Sequence, residues 1–195
     1  MRTTFYSSLA CLTVAALFSI AAAQQGSGGS TPGASSQTAS SATGSSLSAA
    51  DRKFIREAAE GGMAEVELGQ LAVQKAASDD VKKFGQRMVD DHGKANDKLK
   101  ELAASKGITL PQGPNSKQEA TKERLAKLSG ERFDKAYMRD MLLDHKKDVA
   151  AFRSESTLGR DSDVRSFASA TLPTLKDHLK NAQSVAPKLA QPGGA

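Results

Sequence analysis

Apolar residues recur every three or four positions from about residue 50 onwards, which is the spacing of one face of an α-helix. Strand-like alternation of apolar and polar residues is absent from this part of the sequence. The pattern predicts four long helices at about 50–77, 80–104, 131–156 and 163–186, and a short one at about 118–128. The predicted fold is therefore all-α.

The connections between these helices differ in length. Residues 78–80 (SDD) and 157–163 (TLGRDSD) interrupt the pattern only briefly, so each flanking pair of helices is expected to form an antiparallel hairpin. The middle connection, about 105–130, contains Pro111 and Pro114 and is long enough to run along a helix of about 30 Å. Two antiparallel hairpins joined by a long crossover predict a ferritin-like four-helix bundle.

The beginning of the chain has the pattern of a signal peptide. Residues 1–23 combine an early Arg2, a short apolar run and three alanines before Gln24. The apolar run is short for a membrane span, so we expect no transmembrane segment after cleavage. Cys11 lies inside this run, and the cleaved protein is expected to have no cysteine. The sequence thus predicts export to the periplasm or cell envelope.

Composition then divides the rest of the chain. Residues 24–50 are rich in Ser and Gly and carry no charge, which predicts a disordered linker. The bundle is expected at 51–186, followed by a disordered tail at 187–195. Lys and Arg number 27 against 22 Asp and Glu, a scattered excess with no basic run carrying aromatics. We therefore expect no nucleic-acid partner, and an envelope component or another protein remains open.

The chain has only three histidines, and each one follows an aspartate. They occur in the phrases RMVDDHGKA, DMLLDHKKD and TLKDHL. At about 100° per residue, His92, His145 and His178 fall on the apolar faces of their helices, and so do Glu65 and Asp148. We expect these five polar side chains to point toward the bundle interior.

On the first helix, the same projection places Phe54, Ile55, Val66 and Val73 on the apolar face around Glu65. Glu67 falls on the opposite side and is expected at the surface. Because a buried carboxylate must find a partner or stay protonated, Glu65 is the more informative glutamate.

Four sequence blocks resemble an exported bacterial family catalogued as domain of unknown function 4142. The blocks are FIREAAEGGMAEVELGQLA, VKKFGQRMVDDHGKAND, FDKAYMRDMLLDHKKDVAAF and FASATLPTLKDHL, in that order. The resemblance covers about 51–186. It implies export and a ferritin-like bundle, and it brings no established activity.

Two functions stay open. Ferritin-like di-metal sites use Glu-x-x-His pairs, but Val89 and Leu175 stand three residues before His92 and His178. The first interpretation is therefore a structural, stress-related or interaction module, without catalysis, whose histidines and carboxylates form a metal-free polar core. The alternative is a metal-binding protein, with or without oxidoreductase activity. Its candidate ligands for a single divalent ion are Glu65, His92, His145, Asp148 and His178.

Overall fold

The structure is a computed structural model that describes residues 47–190 of the 195. The predicted signal peptide (1–23), the linker as far as residue 46 and the last five residues lie outside the described residues. The described residues form five α-helices and a final 3-10 turn: α1 (Ala49–Lys75), α2 (Asp79–Ser105), α3 (Ser116–Ala126), α4 (Gly130–Leu158), α5 (Ser162–Val185) and the turn Lys188–Ala190. The all-helical prediction is confirmed, and α3 is the short helix expected within the crossover.

Local sequence signals account for where these helices begin and end. Ser48 and Asp51 form a reciprocal capping box at the start of α1, and Asp161 accepts two backbone N–H groups at the start of α5. At the end of α2, Gly107 takes a positive φ of 63°. The N–H of Ile108 then donates to the carbonyl of Ala103, which closes the helix as a Schellman motif.

The four long helices pair in two antiparallel hairpins, α1 with α2 and α4 with α5. The hairpins meet along α1 with α4 and along α2 with α5. The short helix α3 lies against α1 and α4, and it buries only Leu125. Polar contacts hold α3 in place, with Lys122 paired to Glu67 and Asn115 donating to Glu60. No helix within residues 47–190 is both long and apolar enough to cross a membrane.

The interior contains two apolar clusters with a polar layer between them. One cluster includes Met88 of α2 and Met141 of α4, and the other includes Leu99 of α2 and Phe152 of α4. On α2 and α4 the residue between the two clusters is a histidine, and α1 and α5 place Glu65 and His178 at the same level. The polar residues therefore form one level of the bundle with apolar residues on both sides.

Two expectations about buried residues were wrong. Val73 is 39% exposed and Val66 is half-buried, whereas Leu68, which the projection left out, is buried. The reason is that α1 also contacts α3, and Leu68 packs in the same cluster as Leu125. Leu189, which lies within the expected tail at 187–195, is buried in the cluster of Met88 and Met141.

Candidate metal centre

The three histidines come together in the polar layer, each from a different helix. His92 of α2, His145 of α4 and His178 of α5 each offer a ring nitrogen within 4.8 Å of the other two. Their ring centroids lie 5.2–5.7 Å apart. All three side chains are buried, with His92 the most exposed at 6%. The structure thus places the three predicted histidines in one cluster.

One nitrogen of His92 and one of His145 contact oxygen atoms outside the cluster. Nδ1 of His92 lies 3.0 Å from Oε2 of Glu65. Nδ1 of His145 lies 2.9 Å from the carbonyl oxygen of Met141 and 3.4 Å from Oε1 of Glu65. Because a carbonyl oxygen only accepts, Nδ1 of His145 carries the proton and donates it to Met141. The same argument gives His92 a protonated Nδ1 that donates to the ionised Glu65.

His178 also contacts an oxygen atom outside the cluster, but through Nε2 and not through Nδ1. Its Nε2 lies 2.9 Å from Oδ2 of Asp91, a residue that also accepts from Nε of Arg87 at 3.2 Å. Asp91 directly precedes His92 in the sequence, but it contacts the histidine of α5. Asp177, which precedes His178 in the same way, is exposed.

The remaining nitrogens face one another. Nε2 of His145 lies 3.3 Å from Nδ1 of His178. Nε2 of His92 is buried and has no hydrogen-bond partner in residues 47–190. Two nitrogens that bind one ion tetrahedrally, at about 2.0–2.1 Å each, lie about 3.3 Å apart. The spacing of His145 and His178 therefore suits two ligands of one metal ion.

Glu65 is the charged group of the layer. Burial acts to raise the pKa of Glu65, but the neighbouring His92 and His145 outweigh it and lower that pKa to about 2. Glu65 is therefore ionised at neutral pH although only 5% of it is exposed. Burial acts to lower the pKa of His92, and the charge of Glu65 reverses this and raises it. The pKa of His178 falls to about 4 because burial outweighs its hydrogen bond to Asp91.

The other predicted ligand, Asp148, lies beside Glu65. Burial and the Glu65 charge raise the pKa of the Asp148 carboxyl well above its usual range. Asp144, one turn earlier, pairs with Lys147 at 3.0 Å at the surface. The group of converging ligand atoms among residues 47–190 contains the three histidines and neither Glu65 nor Asp148.

Two contacts of the cluster were not predicted from the sequence: the hydrogen bond from His145 to the Met141 carbonyl and the one from His178 to Asp91. The turn Met141-x-x-x-His145 is visible in the sequence, but a backbone acceptor leaves no residue-type signal. Asp91 and His178 are 87 residues apart, so only the fold brings them together.

Comparison with known proteins now adds a family. The sequence matches the family described as Domain of unknown function (DUF4142) over residues 35–185. The chain belongs to the DUF4142 family. The match includes all four sequence blocks and confirms the family assignment made from them. No curated protein sequence matches this DUF4142 chain significantly.

Three solved structures share the fold of this DUF4142 chain. A DUF305 fragment from Deinococcus radiodurans has a TM-score of 0.64 at 13% identity and covers 73% of this chain and 98% of its own. A Streptomyces coelicolor DUF305 protein, described as secreted, gives 0.62 at 11%, covering 72% and 94%. CopM in its Cu(II)-bound form gives 0.60 at 16%, covering 70% and 95%. Identities this low establish similarity of fold alone.

Proposed function

We propose that this protein is an exported ferritin-like bundle that binds one transition-metal ion through His92, His145 and His178. Glu65 then serves as the partner that orients His92, and Asp148 lies outside the ligand set. The proposal therefore narrows the five ligands expected from the sequence to three imidazoles. It also reverses the preference for a metal-free module that the sequence alone favoured.

The observation that carries the proposal is the proton balance between two rings. His145 donates through Nδ1 to Met141, and His178 donates through Nε2 to Asp91. When both rings are neutral, the lone pairs of the two other nitrogens face each other across 3.3 Å. Two facing lone pairs repel unless a cation lies between them. When the His92 ring is neutral as well, its Nε2 offers a third lone pair beside them. Imidazoles whose second nitrogen is held by an oxygen are typical of metal ligands.

The donor set favours copper. Three imidazoles suit Cu²⁺ and Zn²⁺, and for a given nitrogen site Cu²⁺ binds more tightly than the other first-row divalent ions. The similar structure of CopM was solved with Cu(II), which supports the same choice here. Three ligands leave one or more coordination positions for water or an exogenous ligand.

The helix topology supports the ferritin-like bundle, and one of the similar structures supports export. Two antiparallel hairpins joined by a connection containing α3 are the arrangement expected of a ferritin-like bundle. The Streptomyces coelicolor neighbour is described as secreted, which agrees with the export expected from residues 1–23.

A metal-free polar core is the second candidate. A single shared proton on the His145–His178 pair satisfies every hydrogen bond from Met141 to Asp91. In that state the layer specifies the register of the helices, and the protein acts as a structural or interaction module in the envelope.

Metal analysis and EPR of one preparation distinguish the two candidates. The protein is purified without a histidine tag, its metal content is measured, and Cu²⁺ is titrated into the metal-free form. We expect one Cu²⁺ per chain and a spectrum with nitrogen hyperfine structure. Because the chain has only three histidines, imidazole coordination can come only from this cluster.

His178→Asn and His92→Ala test the assignment. Each variant is expected to lose stoichiometric Cu²⁺, while circular dichroism reports whether the helices remain. If wild-type protein takes up neither Cu²⁺ nor Zn²⁺ above background, the metal proposal is wrong and the polar core stands.

A further inference from the structure

Two neighbouring cavities lie on one side of the polar layer. The first, of about 190 Å³, lies between the four long helices, and the second, of about 380 Å³, lies between α1, α3 and α4. Both cavities are lined by the same five residues at their junction: Glu57, Gly61, Glu65, Lys147 and Asp148. The first cavity also reaches His92. The groove beside α3 and the cavity that reaches His92 are therefore neighbours, with these five residues between them.

The rim of the outer cavity is acidic on a chain whose net charge is +5. Glu57, Glu60 and Asp144 line it together with Lys117 and Lys147. Lys147 and Asp144 form a pair whose charges cancel, which leaves Glu57 and Glu60 against Lys117 at the rim. A cavity mouth with excess negative charge attracts cations and repels anions.

A buried acceptor lies where the two cavities meet. Oε1 of Glu65 is buried without a hydrogen-bond partner in the described part of the chain, and Glu65 lines both cavities. Asp148 lies next to it at the junction. A cation that leaves water needs oxygen ligands to replace its hydration shell, and these two carboxyls supply them.

We propose that metal cations reach the histidines through the groove between α1, α3 and α4, with Asp148 and Glu65 binding the ion transiently on the way. The proposal rests on the proposed function, because it requires the histidines to be the destination. It makes the site one that exchanges its ion with solvent, unlike a closed structural metal site.

Gly61 offers a way to block the path without changing charge. A Cβ at this position meets only the Gln118 side chain, at 3.9 Å, so a larger residue fits the helix and projects toward the junction. Gly61→Leu should obstruct the path. Gly93→Leu is the matched control, since a Cβ there meets nothing within 4 Å and Gly93 lines neither cavity.

Tyrosine fluorescence can report how fast Cu²⁺ binds to the histidines and how fast it leaves them. The chain has no tryptophan and two tyrosines, and Tyr137 lies one aromatic ring, Phe84, away from His145. Paramagnetic Cu²⁺ in the cluster should quench Tyr137, and Tyr137→Phe tests the source of the signal. Loading is followed by stopped flow with Cu²⁺, and release is followed after adding excess EDTA.

We expect Gly61→Leu to slow loading and release by about tenfold or more, with Kd within twofold of wild type. Gly93→Leu should match wild type in both rates. Asp148→Asn, which keeps the shape of the side chain, should also slow both rates and covers the case in which Gly61→Leu does not fold.

The outcomes separate this proposal from the proposed function. If Gly61→Leu and Asp148→Asn both load and release Cu²⁺ at wild-type rates, the proposed entry path is wrong. The metal site itself would still stand, because Cu²⁺ would still bind to the histidines. Accelerated release from Asp148→Asn with a weaker Kd makes Asp148 a resident ligand and also overturns it. If wild-type protein binds no Cu²⁺ in the EPR experiment, the proposed function fails first.

Discussion

At the scale of single residues, the cluster depends on the oxygen atoms behind its rings. Each histidine donates one N–H outward, to Glu65, the Met141 carbonyl or Asp91, and this fixes which nitrogen faces the centre. The three partners differ in charge and exposure. Asp91 is the most accessible, since a quarter of its side chain is exposed. It is therefore the partner that can be altered with the least effect on the core.

Asp91→Asn should lower the affinity for Cu²⁺ by about 10–100-fold, the usual effect of losing the carboxylate behind a metal-binding imidazole. The asparagine retains the shape but loses the charge that holds the Nε2–H tautomer of His178. Competition with a chelator of known affinity measures the change.

Asp90→Asn is the matched control for this experiment. Asp90 is the chain neighbour of Asp91, and it accepts only from Gln86 at the surface. Its replacement should change Kd by less than twofold. Equal effects of the two substitutions would mean that general surface charge, and not the contact with His178, determines the affinity.

At the scale of helices, α1 and α2 approach each other closely where Gly69 faces Gly85. A Cβ on Gly85 would lie 2.7 Å from Cβ of Ala72 and 2.8 Å from the carbonyl oxygen of Gly69. These distances are shorter than carbon contacts allow, so the two helices would have to separate. The glycines cost helix propensity and are retained because they permit this approach.

Gly85→Ala should therefore destabilise the protein by up to about 2 kcal/mol, because overpacking costs about 1–3 kcal/mol and the gain in helix propensity offsets about 1 kcal/mol of it. Gly93→Ala, on the same helix in open space, should instead stabilise it by about 0.5–1 kcal/mol. Urea unfolding of the metal-free proteins measures both. Stabilisation by both substitutions would contradict the close approach.

The helices themselves were predictable from sequence, because their periodicity and breaking residues are local signals. The predicted boundaries of all five helices lie within two residues of those observed. The buried face of α1 was less predictable. Leu68 and Val73 exchange roles because α3 covers one side of α1, and a helical projection contains no information about which neighbour covers which side.

At the scale of the whole molecule, the histidine cluster shows the same limit: the sequence indicates which way a side chain faces on its own helix, but not which residue of another helix it contacts. The inward position of the three histidines follows from each helix alone, and the structure brings them together as that predicts. The partners of the rings depend on contacts between helices, so the sequence could not distinguish Asp91 as the acceptor for His178. Carboxyl pairs that join distant segments were missed for the same reason, and the pair at the other end of the bundle is the clearest case.

That pair joins the start of α1 to the end of α4. Asp51 is fully buried and accepts from the backbone N–H groups of Ser48 and Arg160. Burial acts to raise the pKa of Asp51, but these hydrogen bonds lower it, so Asp51 is ionised. Burial, a hydrogen bond to Asp51 and the charge of Asp51 raise the pKa of Glu155 to about 7. The pair therefore holds one proton, on Glu155, at mildly acidic pH.

This proton makes stability fall as the pH rises. Glu155 is protonated in both states below its ordinary pKa of 4.5, so its full contribution is present there. Between pH 4.5 and about 7 the unfolded chain loses the proton that the folded chain keeps, and the free energy of unfolding decreases. The loss is complete above about pH 7 and amounts to at most about 3.5 kcal/mol, since the pKa rises from 4.5 to about 7 and each pKa unit corresponds to about 1.4 kcal/mol.

Glu155→Gln should remove this dependence, because the amide can still donate to Asp51 and does not titrate. The measurement is urea unfolding of both proteins from pH 4.5 to pH 8 in the presence of a chelator, so that bound metal does not contribute. The histidines are common to both proteins and cancel in the difference. We expect the stability of wild type relative to Glu155→Gln to fall by about 1–3 kcal/mol across this range. A difference that stays constant with pH would show that Glu155 titrates alike in both states, and the two carboxyls would then share no proton in the folded protein.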